Sequence, residues 1–204
     1  SEPSVYVGRT ASGGLIYIAT WVDDLWVFFK KQDEGDFKNL EAALMNEFKI
    51  KFDEVRSVLG IRVRRDRVKK TLTLDQETYA LDMLNKLEML QCKAMPTPTV
   101  EKCLSKQHGP KSESERREMT AVPYRDGVGS LMWLAGQTRP DLAFAVGVLA
   151  RFMGDPGREH WENMKRVLRY VKGTADAKLV YTAKGDKGDG VCRVEAFCDA
   201  DWAS

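Results

Sequence analysis

The sequence has little net charge, few cysteines and histidines, and no long apolar run. Its 204 residues include 32 Lys+Arg and 30 Asp+Glu, a formal net charge of +2, so any nucleic-acid surface must come from local clusters of basic residues. The four cysteines form no CxxC pair, which argues against a zinc site or a disulfide framework. The longest apolar run, residues 15–22, is shorter than the ~20 residues of a membrane span, and no signal peptide is visible.

The residues that are present describe a folded chain. Apolar residues make up 43% of the sequence, aromatic residues 9% and charged residues 30%, which excludes a wholly disordered protein. At roughly 150 residues per domain, the length corresponds to about 1.4 domains. The sequence begins without methionine and stops at Asp-Trp-Ala-Ser, so we expect it to be an excerpt from a longer protein.

Hydrophobic periodicity predicts two hairpins followed by a mainly helical region. The first hairpin has strands at 5–9 and 15–29, and the missing alternation in the longer strand predicts that both of its faces are covered. Residues 101–122 are polar and almost aperiodic, which indicates a surface linker or a partly disordered loop. After the first hairpin, a helix carries an apolar stripe formed by Phe37, Leu40, Leu44 and Phe48. A second hairpin has strands at 59–65 and 70–74. Further helices are predicted at 76–90, 123–137, 140–153 and 157–172, and strands at 178–182 and 191–198.

Two adjacent aspartates, Asp23 and Asp24, interrupt the apolar first hairpin. Their turn reads Val-Asp-Asp-Leu and has no glycine, whereas two-residue hairpin turns normally use Asn-Gly or Asp-Gly. Carboxylates this close repel each other, and a bound divalent cation removes that penalty. Oxygen ligands suit Mg²⁺ or Mn²⁺, and metals held by paired carboxylates catalyse phosphoryl transfer in polymerases. The alternative interpretation is an ordinary solvated turn.

Several consecutive segments resemble one known family, the copia-type retrotransposon Pol polyproteins. The segment LIYIATWVDDLWVFF resembles the palm hairpin of their reverse transcriptases, and VLGIRVRRD resembles the Leu-Gly-Ile hairpin that follows. The segments CKAMPTPT and GSLMWLAGQTRPDLAFAVGVLARFM also match, and CDADWAS resembles the entry to a ribonuclease H domain. The similarity follows the whole chain in order, apart from 101–122.

The resemblance implies an α+β fold: a partial palm hairpin with thumb and connection helices, ending in the first strand of a ribonuclease H-like domain. The implied organisation is a partial palm at 1–54, a primer-grip-like hairpin with a thumb helix at 55–100, a polar linker at 101–122, connection helices and a strand at 123–190, and the ribonuclease H start at 191–204. Met132, Trp133, Met153 and Met164, which lie on the predicted helices, are expected in the core.

The resemblance also implies site residues. Asp23 and Asp24 match the catalytic aspartates, with Asp23 as the direct metal ligand and Asp24 in support, although Trp21 stands where the family has tyrosine. Asp199 matches the first metal-binding aspartate of a ribonuclease H fold, and the role of Asp201 stays open. Leu59, Gly60 and Ile61 match the hairpin that grips the primer strand.

Two basic clusters are candidate contacts to nucleic-acid phosphates. The alternative for both is a solvated surface, a basic hairpin in one case and an ordinary amphipathic helix in the other. The first cluster follows the Leu-Gly-Ile hairpin and comprises Arg62, Arg64, Arg65, Arg67, Lys69 and Lys70. The second shares one face of the helix 157–172 and comprises Lys165, Arg169 and Lys172.

The implied activity is that of an RNA-directed DNA polymerase with Mg²⁺ or Mn²⁺ as cofactor. The implied partners are an RNA template, a DNA primer, deoxynucleotides and the rest of the Pol polyprotein, without a membrane, in a cytoplasmic particle or the nucleus. The third palm aspartate and the other ribonuclease H carboxylates have no match in this sequence, so the chain alone is expected to be inactive. Two alternatives stay open: a catalytically dead remnant that binds nucleic acid or a partner, and an α/β domain with an incidental acid pair.

Overall fold

Antiparallel sheets and α-helices alternate along the chain in a computed structural model that describes residues 4–98 and 104–182. The chain divides after Arg56 into two units. The strands of both sheets pair antiparallel, in agreement with the predicted α+β class. Within the described residues, no helix is both long and apolar enough to span a bilayer.

The first unit is a three-stranded sheet followed by one helix. β1 pairs with β2 from Val5 opposite Ala19 to Arg9 opposite Leu15. The turn between them includes Gly13 with φ +83°, a left-handed conformation that glycine adopts without strain. The elements are β1 (Val5–Arg9), β2 (Leu15–Trp21), β3 (Asp24–Phe28) and α1 (Glu34–Glu47).

The prediction that both faces of the first hairpin are covered is wrong for this unit. Every residue of β1 is exposed, and Ile16 is the only buried hydrophobic side chain among the described residues of the unit. The predicted apolar stripe of α1 is half-buried at best, and Phe48 is 60% exposed. A single helix with aromatic contacts such as the stacked rings of Phe29 and Phe37, 4.3 Å apart, offers too little apolar surface to cover a three-stranded sheet.

The second unit contains a four-stranded antiparallel sheet in the order β4-β5-β6-β7. The strand predicted at 178–182 is confirmed, and it pairs with β6 from Leu74 opposite Leu179 to Thr71 opposite Thr182. Periodicity alone could not name this partner, because the two strands are far apart in sequence. The strands are β4 (Ser57–Val58), β5 (Ile61–Asp66), β6 (Thr71–Asp75) and β7 (Leu179–Thr182).

The core of the second unit is helical. Leu84, Val128, Leu149 and Val167 are fully buried, and each contributes roughly 1.5–3 kcal/mol through the hydrophobic effect. The hydroxyl of buried Tyr124 donates a hydrogen bond to the Leu149 carbonyl at 2.9 Å. The helices are α2 (Glu77–Lys86), α3 (Glu113–Thr120), α4 (Tyr124–Gln137), α5 (Ala143–Ala150) and α6 (Arg158–Gly173).

Two details of the predicted helices differ from the structure. The helix predicted over 76–90 ends at Lys86, since Glu88 adopts a positive φ of 57° that an α-helix cannot continue through. The helix predicted over 140–153 is divided into a 3₁₀ turn, Pro140–Leu142, and α5.

A polar network joins the segment between α4 and α5 to the C-terminal end of α6. Arg139 is 3% exposed, and its guanidinium donates to both carboxylate oxygens of Asp141 at 3.0 and 2.8 Å and to the Thr174 carbonyl at 2.8 Å. The Tyr170 hydroxyl donates to the same carboxylate at 2.9 Å. Burial alone would raise the pKa of Asp141, but the hydrogen bonds from Arg139 and Tyr170 outweigh it, and the pKa lies below its ordinary value.

The segment predicted as a linker or loop, residues 101–122, is ordered over its described part, 104–122, which we call the insert. It forms a 3₁₀ turn, Lys106–His108, and the helix α3. The Ser112 hydroxyl caps α3 by accepting a hydrogen bond from the Glu115 N–H at 3.1 Å. Periodicity missed this helix because Met119 is its one buried residue, and the rest of α3 is fixed by polar contacts.

Candidate metal-binding hairpin and nucleic-acid interface

The acid pair, Asp23 and Asp24, lies at the exposed tip of the hairpin formed by β2 and β3, as the sequence predicted. Trp21 pairs with Asp24, so the turn consists of Val22 and Asp23. Val22 has φ +51°, a conformation that costs a β-branched residue roughly 1–3 kcal/mol. Strained residues of this kind cluster at functional sites and at tight turns, and Val22 shares its positive φ with Leu59, Lys70 and Glu88.

The donor set of the acid pair fits part of a magnesium site. Both aspartates are exposed, and Mg²⁺ in phosphoryl-transfer enzymes is commonly held by one or two protein carboxylates together with substrate phosphates. Over residues 4–98 and 104–182 there is no group of three or more His, Cys, Asp or Glu side chains that could hold a metal ion. The pair therefore fits a metal that is shared with a substrate, but it does not form a complete cage.

The Leu-Gly-Ile segment forms a tight turn at the edge of the second sheet. Val58 pairs with Ile61, and the two turn residues, Leu59 and Gly60, have φ values of +49° and +78°. Positive φ at both central positions defines the type I′ turn, which matches the twist of the flanking strands. Leu59 is 41% exposed, so the turn presents an apolar side chain and accessible backbone.

The basic hairpin consists of β5, β6 and their connecting turn. Some of its cationic side chains form ion pairs within the second unit, and others form none among the described residues. Arg62 contacts Asp75 at 2.6 Å and Glu77 at 2.5 Å, and Arg64 contacts Asp75 at 3.2 Å. The Asp75 side chain is only 2% exposed. Burial alone would raise the pKa of Asp75, but hydrogen bonds from Arg62 and the Glu77 N–H hold it below its ordinary value.

Arg62 and Arg64 are therefore held in ion pairs within the hairpin, unlike three other cations of the same cluster, and their predicted contact with phosphates stays a prediction. Register explains the difference: β5 places Arg62 opposite Asp75, and the sequence does not show strand register. Lys69 lies 3.9 Å from the carboxylate of Asp66. Within the described part of the chain, Arg65, Arg67 and Lys70 form no ion pair; we call these three the free cations.

Two of the three predicted basic residues on α6 already contact other groups of the chain. Lys165 lies 2.6 Å from Glu162, and Arg169 donates to the Lys93 carbonyl at 2.7 Å. The Met95 N–H in turn donates to the Arg169 carbonyl at 3.2 Å, so an extended segment lies along this part of the helix. Of the three predicted residues, only Lys172 forms neither an ion pair nor a side-chain hydrogen bond within the described part of the chain.

One face of α4 is exposed, contrary to the expectation from the sequence. Met132 and Trp133 were expected in the core, but they are 48% and 38% exposed. Gly129 and Gly136 lie on the same face at helical spacing, and a Cβ at either glycine would meet no atom within 4 Å. The spacing i, i+3, i+4, i+7 was readable as one stripe, but apolar residue types alone suggested burial. The expectation is correct for Met164, which is fully buried, while Met153 is half-buried.

The remaining predicted site residues lie outside the described part of the chain. These are Asp199 and Asp201, together with the predicted strand 191–198 and the ribonuclease H start at 191–204. Their assignments stay predictions.

Three similar proteins carry information about family. The chain is 36% identical over 205 residues to the Retrovirus-related Pol polyprotein from transposon TNT 1-94 of Nicotiana tabacum, covering 100% of this chain and 15% of that polyprotein. It is 35% identical over 204 residues to the corresponding polyprotein from transposon RE2 of Arabidopsis thaliana, covering 100% and 13%. It is also 34% identical over 189 residues to an uncharacterized mitochondrial protein of Arabidopsis thaliana, covering 92% of this chain and 72% of that protein.

The chain thus spans about one-seventh of the length of the two polyproteins. No protein-family model matches the sequence, and no solved structure matches it.

Proposed function

We propose that this chain, which is 35–36% identical over its whole length to segments of two Retrovirus-related Pol polyproteins from plant transposons, belongs to the copia-type retrotransposon Pol polyproteins. It would be the C-terminal part of a reverse transcriptase, continuing into a ribonuclease H domain. The observation that carries the proposal is the acid pair at the exposed tip of a hairpin whose turn is strained at Val22. In the intact polyprotein, Asp23 and Asp24 would hold Mg²⁺ against substrate phosphates during RNA-templated DNA synthesis. The isolated chain is proposed to be inactive, because two carboxylates do not fix a two-metal site.

Metal binding at the acid pair is testable on the chain alone. Addition of Mn²⁺ is expected to broaden the NMR signals of residues around Asp23 and Asp24. The Mn²⁺ concentration required is expected to be millimolar, because two exposed carboxylates make a weak site. Replacing both aspartates with asparagine is expected to abolish this broadening. The matched control is Asp53→Asn, which removes an exposed carboxylate that lies 2.9 Å from Lys51 in the same unit. Equal broadening with and without the acid pair would contradict the proposed metal site.

Nucleic-acid binding is proposed to depend on the free cations Arg65, Arg67 and Lys70. Three phosphate contacts on a duplex correspond to a slope of about −2.7 in log K against log salt, or roughly a 40-fold loss of affinity between 50 and 200 mM salt. Replacing all three by alanine is expected to flatten the slope by about 2–3 units for every duplex sequence. The measurement is a fluorescence anisotropy titration of a labelled RNA–DNA duplex at several salt concentrations.

A matched triple variant separates local contacts from net charge. Lys30, Lys31 and Lys38 are exposed lysines of the first unit, and replacing them by alanine changes the net charge by the same amount. This control is expected to leave the slope within about half a unit of the original. Equal flattening by the two triple variants would show that the basic hairpin has no special part in binding.

A second candidate function is a remnant that binds nucleic acid or a protein partner without catalysis. The match to the mitochondrial protein favours it, since this chain covers 72% of that protein, and a segment of this size therefore occurs outside a full-length polyprotein. The two candidates make different predictions. A remnant retains salt-dependent binding but supports no DNA synthesis when it replaces the equivalent segment of an active polyprotein.

A further inference from the structure

Two histidines join the insert to the start of α6. The ring of His160 is fully buried; its Nδ1 accepts a hydrogen bond from the Gly157 N–H at 2.9 Å, and its Nε2 lies 3.2 Å from the Ser105 carbonyl oxygen. A carbonyl can only accept, so Nε2 carries the proton and Nδ1 is the bare nitrogen. Both nitrogens of a neutral ring are thus satisfied.

His108 repeats the arrangement on the opposite side of the contact. Its Nδ1 accepts a hydrogen bond from the Ser105 N–H at 3.0 Å, and its Nε2 lies 3.7 Å from the Glu159 carboxylate. The two imidazole rings meet edge to face with centroids 6.3 Å apart, and the His160 ring stacks on Phe152 at 4.1 Å. Each histidine therefore caps one backbone N–H within its own turn, and His160 also binds the insert.

The backbones of the two segments touch at this point. A Cβ built on Gly157 would lie 2.1 Å from the His108 carbonyl oxygen and 2.9 Å from the Gly109 carbonyl carbon. Leu104, immediately before the contact, is buried in the helical core. The insert is therefore docked through a close-packed junction and not through surface charges alone.

A second proton on His160 has no acceptor. It would attach to Nδ1, which faces the Gly157 N–H, and two donors would then point at each other in a buried site. We infer that the His108–His160 pair is a proton-sensitive latch, which holds the insert on the start of α6 while His160 is neutral and releases residues 104–109 when His160 is protonated.

The charged groups around the latch do not remove this sensitivity. Burial is the largest influence and lowers the pKa of His160, and the hydrogen bond to the Ser105 carbonyl, which raises it, comes next. The charge of His108 lowers the pKa and the charges of Glu159 and Asp155 raise it, and the net pKa lies below its ordinary value. Arg116 of α3 lies 3.1 Å from Asp155 and weakens the influence of that carboxylate. Around the same junction, Arg158 forms an ion pair with Glu118, and the Arg158 N–H binds Glu115.

The sign follows from linkage. A released histidine takes up a proton below its ordinary pKa of about 6.5, whereas the docked ring resists it. Docking is therefore complete above this pH and is progressively lost as the pH falls below it. At pH 5.5 the released form is favoured by up to about tenfold relative to neutral pH, because roughly ten in eleven released rings are protonated.

The test is hydrogen–deuterium exchange of the full chain at pH 7.5 and 5.5, corrected for intrinsic exchange rates, with NMR titration of the His160 ring. Protection of residues 104–109 is expected to fall up to about tenfold at pH 5.5, and the His160 ring is expected to titrate below its ordinary pKa because burial lowers the pKa of the docked ring. Unchanged protection, or a His160 titration without loss of protection, would overturn the inference.

Two variants assign the effect to one ring. In His160→Gln the side-chain amide can still donate to the Ser105 carbonyl but cannot take up a proton, so protection is expected to be equal at both pH values, whatever its absolute level. In His108→Asn the side-chain oxygen can still accept from the Ser105 N–H, and the pH dependence is expected to persist. A pH-dependent His160→Gln variant, or a pH-independent His108→Asn variant, would show that His160 is not the proton sensor.

Discussion

A tobacco Pol polyprotein carrying this chain in place of its matching 205 residues is expected to synthesise DNA on an RNA template, and to lose on the order of 10³-fold of its rate when Asp23 and Asp24 both become asparagine. Asparagine retains the size of aspartate but removes the negative charge that binds a divalent cation. The loss should therefore appear in kcat, while affinity for the template–primer duplex stays within about twofold. Primer extension with labelled deoxynucleotides measures both quantities.

The control for this experiment is the Asp53→Asn variant of the same chimera, which is expected to keep its rate. The 204-residue chain alone is expected to extend no primer, even with Mn²⁺, because its two carboxylates cannot position two metals and a primer hydroxyl. A chimera that stays active without the acid pair would refute the catalytic assignment. A folded chimera that binds the duplex but makes no DNA would favour the remnant.

Replacing Arg139 by alanine is expected to destabilise the second unit by roughly 1.5–3 kcal/mol. The guanidinium is buried and satisfies both oxygens of Asp141 and the Thr174 carbonyl. Without it, the Thr174 carbonyl loses this donor, and the partly buried Asp141 carboxylate keeps only the Tyr170 hydroxyl among its described side-chain donors. Urea unfolding followed by far-UV circular dichroism measures the change as a lower midpoint with an unchanged slope.

The matched control is Arg117→Ala. Arg117 is also an ion-paired arginine, but its side chain is 81% exposed and lies 3.7 Å from Glu113 on α3, so its loss is expected to cost less than about 0.5 kcal/mol. Arg139→Lys is expected to recover only part of the loss, because an ammonium group cannot bind the carboxylate through two parallel hydrogen bonds. A stability of Arg139→Ala within about 1 kcal/mol of the original would contradict the structural importance of this network.

Local signals in the sequence were sufficient for the hairpins and most helices. Gly13 and Gly14 marked the first turn, the acid pair marked the second, and apolar spacing placed α2, α4 and α6 to within a few residues. These features depend on neighbours in the sequence, so a pattern search can find them.

Features that depend on distant partners were not predictable. The pairing of Arg62 with Asp75 follows from strand register, the insert is held by contacts with α6, and the exposure of Trp133 depends on which face of α4 meets the core. The expectation that β1 is covered on both faces failed for the same reason. Apolar residues can be buried, but their presence in a strand does not show that another element packs against it.

The pairing of β7 with β6 has a consequence for folding during synthesis. The edge of β6 that receives Leu179–Thr182 stays unpaired until on the order of a hundred further residues have been translated after Asp75. At about 5–20 residues per second, that interval lasts roughly 5–20 s. During this time the nascent chain exposes an open strand edge, a template for association with other chains. Ribosome-bound intermediates that end within α6 should therefore depend on chaperones more strongly than those in which β7 has emerged.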